Sequence, residues 1–247
     1  MSIDSKEDLD GILAAGRLVA DTMRHMVTSI RAGMTTLELD QIGRRYFEER
    51  GGRSAPELTY SFPGATCISV NEEAAHGIPG SRILEKGDVI NVDVSLELNG
   101  YFADMGYTTF IEPVSVDTRR LIDTSRYALD QAIRAARHGA KIAEVGRVIE
   151  KSARLRGFKV IRNLAGHGVG RALHEEPVDL VNYYDPGDRR KLRSGQVIAL
   201  ETFVSTGAEQ VIQKRDGWTL TTRDNSRVAQ FEHTLIVRDG KALVATA

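Results

Sequence analysis

Cysteine is almost missing. Cys67 is the only thiol in 247 residues, so no disulfide can close within the chain. A disulfide-stapled secreted module is excluded, and a reducing, cytoplasmic setting is the simplest expectation. An excess of either charge is also missing. Lys and Arg number 33 and Asp and Glu 34, a net charge of -1. No global electrostatic footprint for nucleic acid or an anionic membrane is visible. The first residues, MSIDSKEDLD, carry acid where a signal peptide needs a basic start and an apolar stretch. No apolar run approaches the ~18 residues of a membrane helix. With six prolines, no Pro-rich linker divides the chain. What remains is an ordinary globular balance, 41% hydrophobic and 27% charged, in a chain long enough to bury a core.

Two similar halves are expected. Ser5 to Asp8 reads as a helix start, with Leu9, Leu13, Val19, Met23, Met26 and Ile30 at helical spacing up to Gly33. A second start at Thr35 to Glu38 leads to a stop at Gly51-Gly52. The period then changes, and Thr66–Val70, Asp88–Leu98 and Tyr101–Ile111 read as strands. The second half repeats the order, with one helix ending near His138-Gly139 and another at Gly157. Strand-like runs follow at Val160-Ile161, Val197–Val204, Trp218–Thr222, Val228–Val237 and Ala242–Ala245. Helix, helix, strands, twice over, is an α+β pattern, expected to give a mostly antiparallel sheet with helices on one face. The expectation is one domain, residues 1–247, with pseudo-symmetric halves of about 1–112 and 113–247.

Asn99-Gly100 is a strong signal for a two-residue hairpin, since a type I′ turn needs positive φ at both central residues. That loop sets Leu98 against Tyr101 and Ser95 against Asp104. Asp93 and Asp104 then become diagonal neighbours on one face, roughly 7–8 Å apart. Two carboxylates so close suit a pair of divalent ions; the alternative is a solvated polar face, common in antiparallel sheets. His167 sits between glycines in Gly166–Gly170, which let the backbone approach closely and expose the imidazole. His25 and His138 fall in helical stretches and read as ordinary side chains. Glu201 and Glu232 each interrupt an apolar strand, where an uncompensated charge is expensive. Asp93, Asp104, His167, Glu201 and Glu232 therefore point to one hard, oxygen-rich centre, suited to Mn, Fe, Co or Zn in pairs.

Several segments resemble the type I methionine aminopeptidases of the pita-bread metallopeptidase family. They are Cys67–Glu72 with His76–Pro79, Asn91–Asp93 with Asp104, Gly166–Pro177, Glu201, Asp216–Thr219 and Gln230–His233. They run in family order along nearly the whole chain. The resemblance implies a curved, mostly antiparallel pita-bread sheet and removal of an initiator methionine from nascent polypeptides whose second residue is small. It also implies roles. Asp93 would chelate one of two divalent metal ions, His167 and Glu201 the other, with Asp104 and Glu232 bridging. A metal-bridged hydroxide would attack the scissile carbonyl, with Glu201 as general base. His174 would hydrogen-bond that carbonyl and His76 would contact the scissile nitrogen. Phe62, Cys67, Leu173 and Trp218 would line the methionine pocket. Such an enzyme is expected to be a monomer that could meet the ribosome, with no specific nucleic acid and no membrane as partner.

The sequence departs from the family pattern at two places. Thr202 follows Glu201 where proline is usual, and Tyr60 stands one residue nearer Phe62 than the usual spacing. Two rival readings share the fold: an Xaa-Pro aminopeptidase, and a non-catalytic binding protein that would typically have lost ligands.

Overall fold

The computed structural model describes residues 1–247. The first half runs α1 (Lys6–Ser29), α2 (Thr36–Glu48), β1 (Arg53–Ser54), α3 (Ala55–Tyr60), β2 (Cys67–Val70), β3 (Glu73–Ala75), β4 (Val89–Leu98) and β5 (Tyr101–Phe110). The second runs α4 (Val116–Ala135), α5 (Ile142–Arg154), β6 (Lys159–Val160), β7 (Ala165–Gly168) and β8 (Glu175–Val181). It ends with β9 (Val197–Ser205), β10 (Ile212–Gln213), β11 (Leu220–Thr221), β12 (Val228–Ile236) and β13 (Leu243–Val244). No helix is long and apolar enough to cross a membrane.

The helix starts follow from local chemistry. Ser5 Oγ accepts the Asp8 N–H at 3.0 Å and caps α1. Thr35 and Glu38 satisfy each other's backbone N–H in a reciprocal box that opens α2. His25 lies in α1, stacked on Tyr46 with ring centroids 4.7 Å apart. His138, expected in a helix, lies instead in the turn after α4. There its Nδ1 accepts the Ser194 N–H at 3.0 Å, because the chain must already bend toward α5.

The short strands β1, β3, β7 and β10 and two longer elements, α3 and β8, are not marked by the sequence pattern. Helix α3 is only six residues long, too short to show a period; Ser54 caps it and Pro56 sits in its first turn. Strand β8 carries Glu175, Glu176 and Asp179 and pairs only with β7 at the sheet margin, so its apolar alternation is broken.

All strand pairings are antiparallel. In one ladder β4 pairs with β1, β2 and β5; in another β9 lies between β12 and β7. Alternate residues of these strands, such as Ile90, Val92 and Val94 on β4, pack under α1 and α2. Ile198, Leu200, Ala229 and Phe231 pack under α4 and α5 in the same way. Asn99 and Gly100 have φ of 52° and 84°, and the hairpin register is the expected one, Leu98 opposite Tyr101 and Ser95 opposite Asp104. The polar face of this hairpin is not solvated: Asn91, Ser95 and Glu97 are all buried.

The two ladders meet along β5 and β12, where two threonine hydroxyls replace a backbone ladder. Thr108 Oγ1 accepts the Gln230 N–H at 2.9 Å and donates to the Gln230 carbonyl at 2.7 Å. Thr234 Oγ1 does the same for Asp104, accepting its N–H and donating to its carbonyl, both at 2.8 Å. Thr108 lies four residues after Asp104, and Thr234 four after Gln230, so the seam itself is pseudo-symmetric.

Thr108→Val keeps the shape but orphans the buried Gln230 N–H and leaves the Gln230 carbonyl only a long 3.4 Å bond from Asn91 Nδ2; an unsatisfied buried group costs roughly 1–3 kcal/mol. The expected loss is about 2–4 kcal/mol, a fall in Tm of about 5–15 °C by calorimetry. The same change at half-buried Thr109, the next residue of β5, should cost far less. Equal effects would show that the seam does not rest on the hydroxyl.

Candidate metal centre and active site

The face turned away from the helices collects the acids. Asp93 comes from the middle of β4, Asp104 from β5, Glu201 from β9 and Glu232 from β12. Glu201 and Glu232 are directly opposed in the β9–β12 ladder. His167 comes from β7, paired to β9 at Ala199. All five line one cavity of about 360 Å³. Ligand atoms of Asp104, His167 and Glu232 lie within 4.8 Å of one another, and His167 Nε2 is 3.9 Å from Asp104 Oδ2.

The surroundings fix these side chains. His167 is buried rather than exposed. Its Nδ1 is 2.9 Å from the Gly168 carbonyl, so Nδ1–H donates there and Nε2 keeps a lone pair toward the carboxylates. The flanking glycines serve close approach: a Cβ on Gly166 would strike the Ala199 carbonyl, and one on Gly168 the Glu176 carbonyl. Gln230 Nε2 donates to Glu232 at 2.9 Å and to Glu201 at 3.3 Å. Gln230 Oε1 is held by Asn91 Nδ2 at 2.7 Å. Asn182, which the sequence did not single out, clamps the strand around Glu201, donating to the Glu201 carbonyl and accepting the Phe203 N–H.

The electrostatics of the bare cluster are unfavourable. Burial raises Asp93 to about 6, offset in part by a hydrogen bond with Asp104. Burial pushes Asp104 well above the usual carboxylate range, aided by repulsion from Glu232 and Asp93. Glu201 and Glu232 are raised well above theirs by burial, then by neighbouring carboxylates. Burial lowers His167 to about 3, with His174 and His76 adding to the effect. Asp104 Oδ1 and Glu232 Oε1 are buried without any hydrogen-bond partner. Four carboxylates, a neutral imidazole and two orphaned buried oxygens fit divalent metal ions.

The remaining predicted residues stand in the cavity wall as well. Phe62, Cys67, His76, Leu173, His174 and Trp218 all line it. Phe62 and Trp218 meet edge to face, centroids 5.2 Å apart. Trp218 is set by the turn at Asp216, whose carboxylate accepts the Trp218 and Thr219 N–H groups. His76 follows β3, which pairs with β11 just beyond Trp218. His76 has φ of 54°, an unusual conformation for a non-glycine residue that aims its accessible ring at the cavity. The surrounding protein lowers the pKa of this ring by desolvation. Cys67 is opposite Asp93 in the ladder. Burial, then the nearby carboxylates, push its thiol well up, away from the thiolate form that a nucleophile needs. Tyr60, Leu164 and Phe203 also line the cavity and were not among the predicted wall residues.

The raised carboxyls make a signed prediction. Unfolded carboxyls titrate near about pH 4, whereas Asp93 titrates at about 6 and the other three are raised in the same direction. In the metal-free protein the folded state binds more protons across that window. The contribution to stability is full below the window and lost as pH rises through it. Asp104→Asn removes part of this loss, so its metal-free Tm should exceed the wild-type value, by more at pH 8 than at pH 5.5. His76, His167, His174 and His233, whose pKa values are lowered by burial, are present in both proteins. A lower Tm for the variant at pH 8 would show that the cluster is not under mutual repulsion.

Residues 10–239 match the model of metallopeptidase family M24. The chain is 41% identical to methionine aminopeptidase 2 of Bacillus subtilis over 247 residues, covering 100% of this chain and 99% of that protein. It is 42% identical to a methionine aminopeptidase of Staphylococcus epidermidis, covering 98% of each. Among solved structures, the methionine aminopeptidase of Rickettsia prowazekii superposes with a TM-score of 0.95 at 33% identity, covering 100% of both chains. The prolidase of Pyrococcus furiosus, at 20% identity, shares the fold with a TM-score of 0.80; this chain spans 65% of it. The architecture is thus the pita-bread fold, and the chain belongs to metallopeptidase family M24.

Proposed function

We propose that this protein is a metal-dependent methionine aminopeptidase that removes the initiator methionine from nascent polypeptides when the second residue is small. The observation that carries the reading is the closed set of four carboxylates and one imidazole, beside an apolar wall of Phe62, Leu173 and Trp218. The full-length likeness to proteins named methionine aminopeptidase supports the substrate. It also favours this reading over the Xaa-Pro rival, since the likeness to an X-Pro aminopeptidase of Thermotoga maritima, at 18% identity, extends to the fold alone. Retention of all five ligands counts against a non-catalytic binding protein. Residues 1–247 act as one catalytic domain, since both halves contribute ligands.

Asp93, Asp104, His167, Glu201 and Glu232 would hold two divalent ions drawn from Mn, Fe, Co or Zn, with Asp104 and Glu232 between them. Bound there, the ions supply Lewis acidity to water and carbonyl and an anchor for a free amino group. Glu201 takes the proton from the attacking water and returns it to the departing amine. His174 donates to the carbonyl oxygen as negative charge develops, and His76 contacts the scissile nitrogen. Phe62, Cys67, Leu173 and Trp218 take up the methionine side chain, offering soft apolar contact to a thioether. The expected setting is the cytoplasm, where nascent chains present a free methionine, with the enzyme acting as a monomer.

With metal-loaded protein, Met-Ala-Ser is expected to outrank both Met-Lys-Ser and Ala-Pro-Ser in kcat/KM. Faster cleavage of Ala-Pro-Ser would move the assignment to the Xaa-Pro rival, and no cleavage of any peptide would favour a binding protein. Glu201→Gln is expected to lower kcat by about 10²–10⁴-fold, the usual worth of a general base. Near wild-type turnover in that variant would overturn the role of Glu201.

A further inference from the structure

Tyr60 is the residue whose spacing departs from the family pattern, and the structure gives it a specific contact. Its hydroxyl oxygen lies 2.7 Å from His174 Nδ1. This is the one hydrogen bond that either side chain makes. The rings sit 5.5 Å apart at 55°, and on its other side His174 meets the His167 ring at 4.0 Å. The loop below His174 is tied down independently of Tyr60. Arg171 Nη2 donates to Asp8 at 2.7 Å and to the Tyr101 hydroxyl at 2.8 Å, and the Arg171 N–H donates to Glu175 at 2.9 Å. The backbone of His174 is therefore anchored, while its ring orientation rests on Tyr60.

Tyr60 is itself presented by a built element. It is the last residue of α3, and Ser61 ends that helix with φ of 56°. Ser54 caps α3 and its hydroxyl also donates to the Ala65 carbonyl at 2.9 Å, closing the loop. Buried Asp40 accepts the Ala65 and Thr66 N–H groups and the Thr66 hydroxyl. Arg44 grips Glu57 on the helix surface. A tyrosine that is 45% exposed is thus held with its hydroxyl at one ring nitrogen of the cavity.

We infer that Tyr60 is a positioning residue for His174, its hydroxyl donating to Nδ1 so that the opposite nitrogen, Nε2, carries the hydrogen offered to the substrate carbonyl. A neutral imidazole has one donor and one acceptor nitrogen, and the partner of one decides the role of the other. A phenol hydroxyl donates readily and leaves Nδ1 as the acceptor. Turned the other way, the pair would leave Nε2 a bare lone pair, useless as an oxyanion donor. This inference rests on the proposed function, specifically on His174 as the donor to the carbonyl.

The test is Tyr60→Phe, which removes one hydroxyl from a half-open position and leaves α3 intact. The expected result is a kcat about 10- to 100-fold lower, the usual cost of losing an orienting partner, with KM and bound metal unchanged. Nitrogen-15 NMR of the imidazoles in the metal-loaded wild type should show His174 as the Nε2–H tautomer, and a mixture in the variant. In the His174→Ala background, Tyr60→Phe should have no further effect, because the two act as one unit. A raised KM with unchanged kcat would make Tyr60 a substrate contact and overturn the inference. Multiplying effects in the double variant, or an Nδ1–H tautomer in the wild type, would overturn it as well. If His174→Ala lowers kcat while Tyr60→Phe matches the wild type, the inference alone fails. If His174→Ala keeps full kcat, the role of His174 fails and takes this inference with it.

Discussion

Asp93, Asp104, Glu201 and Glu232 share one cavity with His167, and no lysine or arginine pairs with any of them. Burial penalises each charge and each charge penalises the next. A cluster of this kind does not assemble by its own attractions; the rest of the fold must force it. The forcing comes from the opposite face of the same strands. Ile90, Val92 and Val94 on β4, and Ile198, Leu200 and Phe231 on the paired strands β9 and β12, are locked beneath helices. Strand alternation then dictates where the acids point. The apolar face pins the register, since a slip by one residue would expose it, and the same register holds the carboxylates together.

The halves must also stay aligned, because Asp93 and Asp104 belong to the first and His167, Glu201 and Glu232 to the second. Thr108 and Thr234 join the halves at the peptide units of Gln230 and Asp104. Asp104 is one of the carboxylates, and Gln230 donates to two others. The seam between the halves and the support of the cluster are thus one hydrogen-bonded network. Thr202 belongs to a second such contact. Its hydroxyl meets that of Ser125 on α4 at 2.9 Å, and Ser125 donates to the Ala229 carbonyl at 2.7 Å. A residue that looked like a departure from the family pattern beside Glu201 therefore ties the back of β9 to α4 and β12.

Legibility in the sequence followed the range of the interaction. The capped helices were readable because Ser5, Thr35 and Glu38 act within one turn. The hairpin register was readable because Asn99-Gly100 allows one loop length, and register alone brings Asp93 near Asp104. Glu201 and Glu232 stood out as charges in apolar strands. The threonine seam was not readable, since Thr108 looks like any strand threonine until a strand over a hundred residues away lies beside it. Asn182 was hidden because its partners, Glu201 and Phe203, stand on a strand that only tertiary packing brings beside it. Helix α3 carried too few residues to show a period, and β8 exposes too much acid to read as a strand. The burial of His167 came from tertiary packing, which turned a glycine-flanked residue from an exposed reading to an enclosed one.

Stiffness is divided unevenly around the cavity. The carboxylates and His167 stand on strands paired to neighbours, where a side chain is placed by packing on both sides. The wall that faces substrate comes from short elements: α3 with Tyr60, the turn carrying Phe62, the bend at His76 and the Asp216 turn under Trp218. A change of spacing in a loop alters which side chain is presented without moving a strand, whereas a shifted residue in β4 or β12 would turn a carboxylate to the wrong face. The displacement of Tyr60 relative to Phe62 falls in the part that can absorb it. The carboxylate cluster of such a site is therefore constrained by sheet register, while the wall around it is carried by short elements, among them a six-residue helix, that can vary independently.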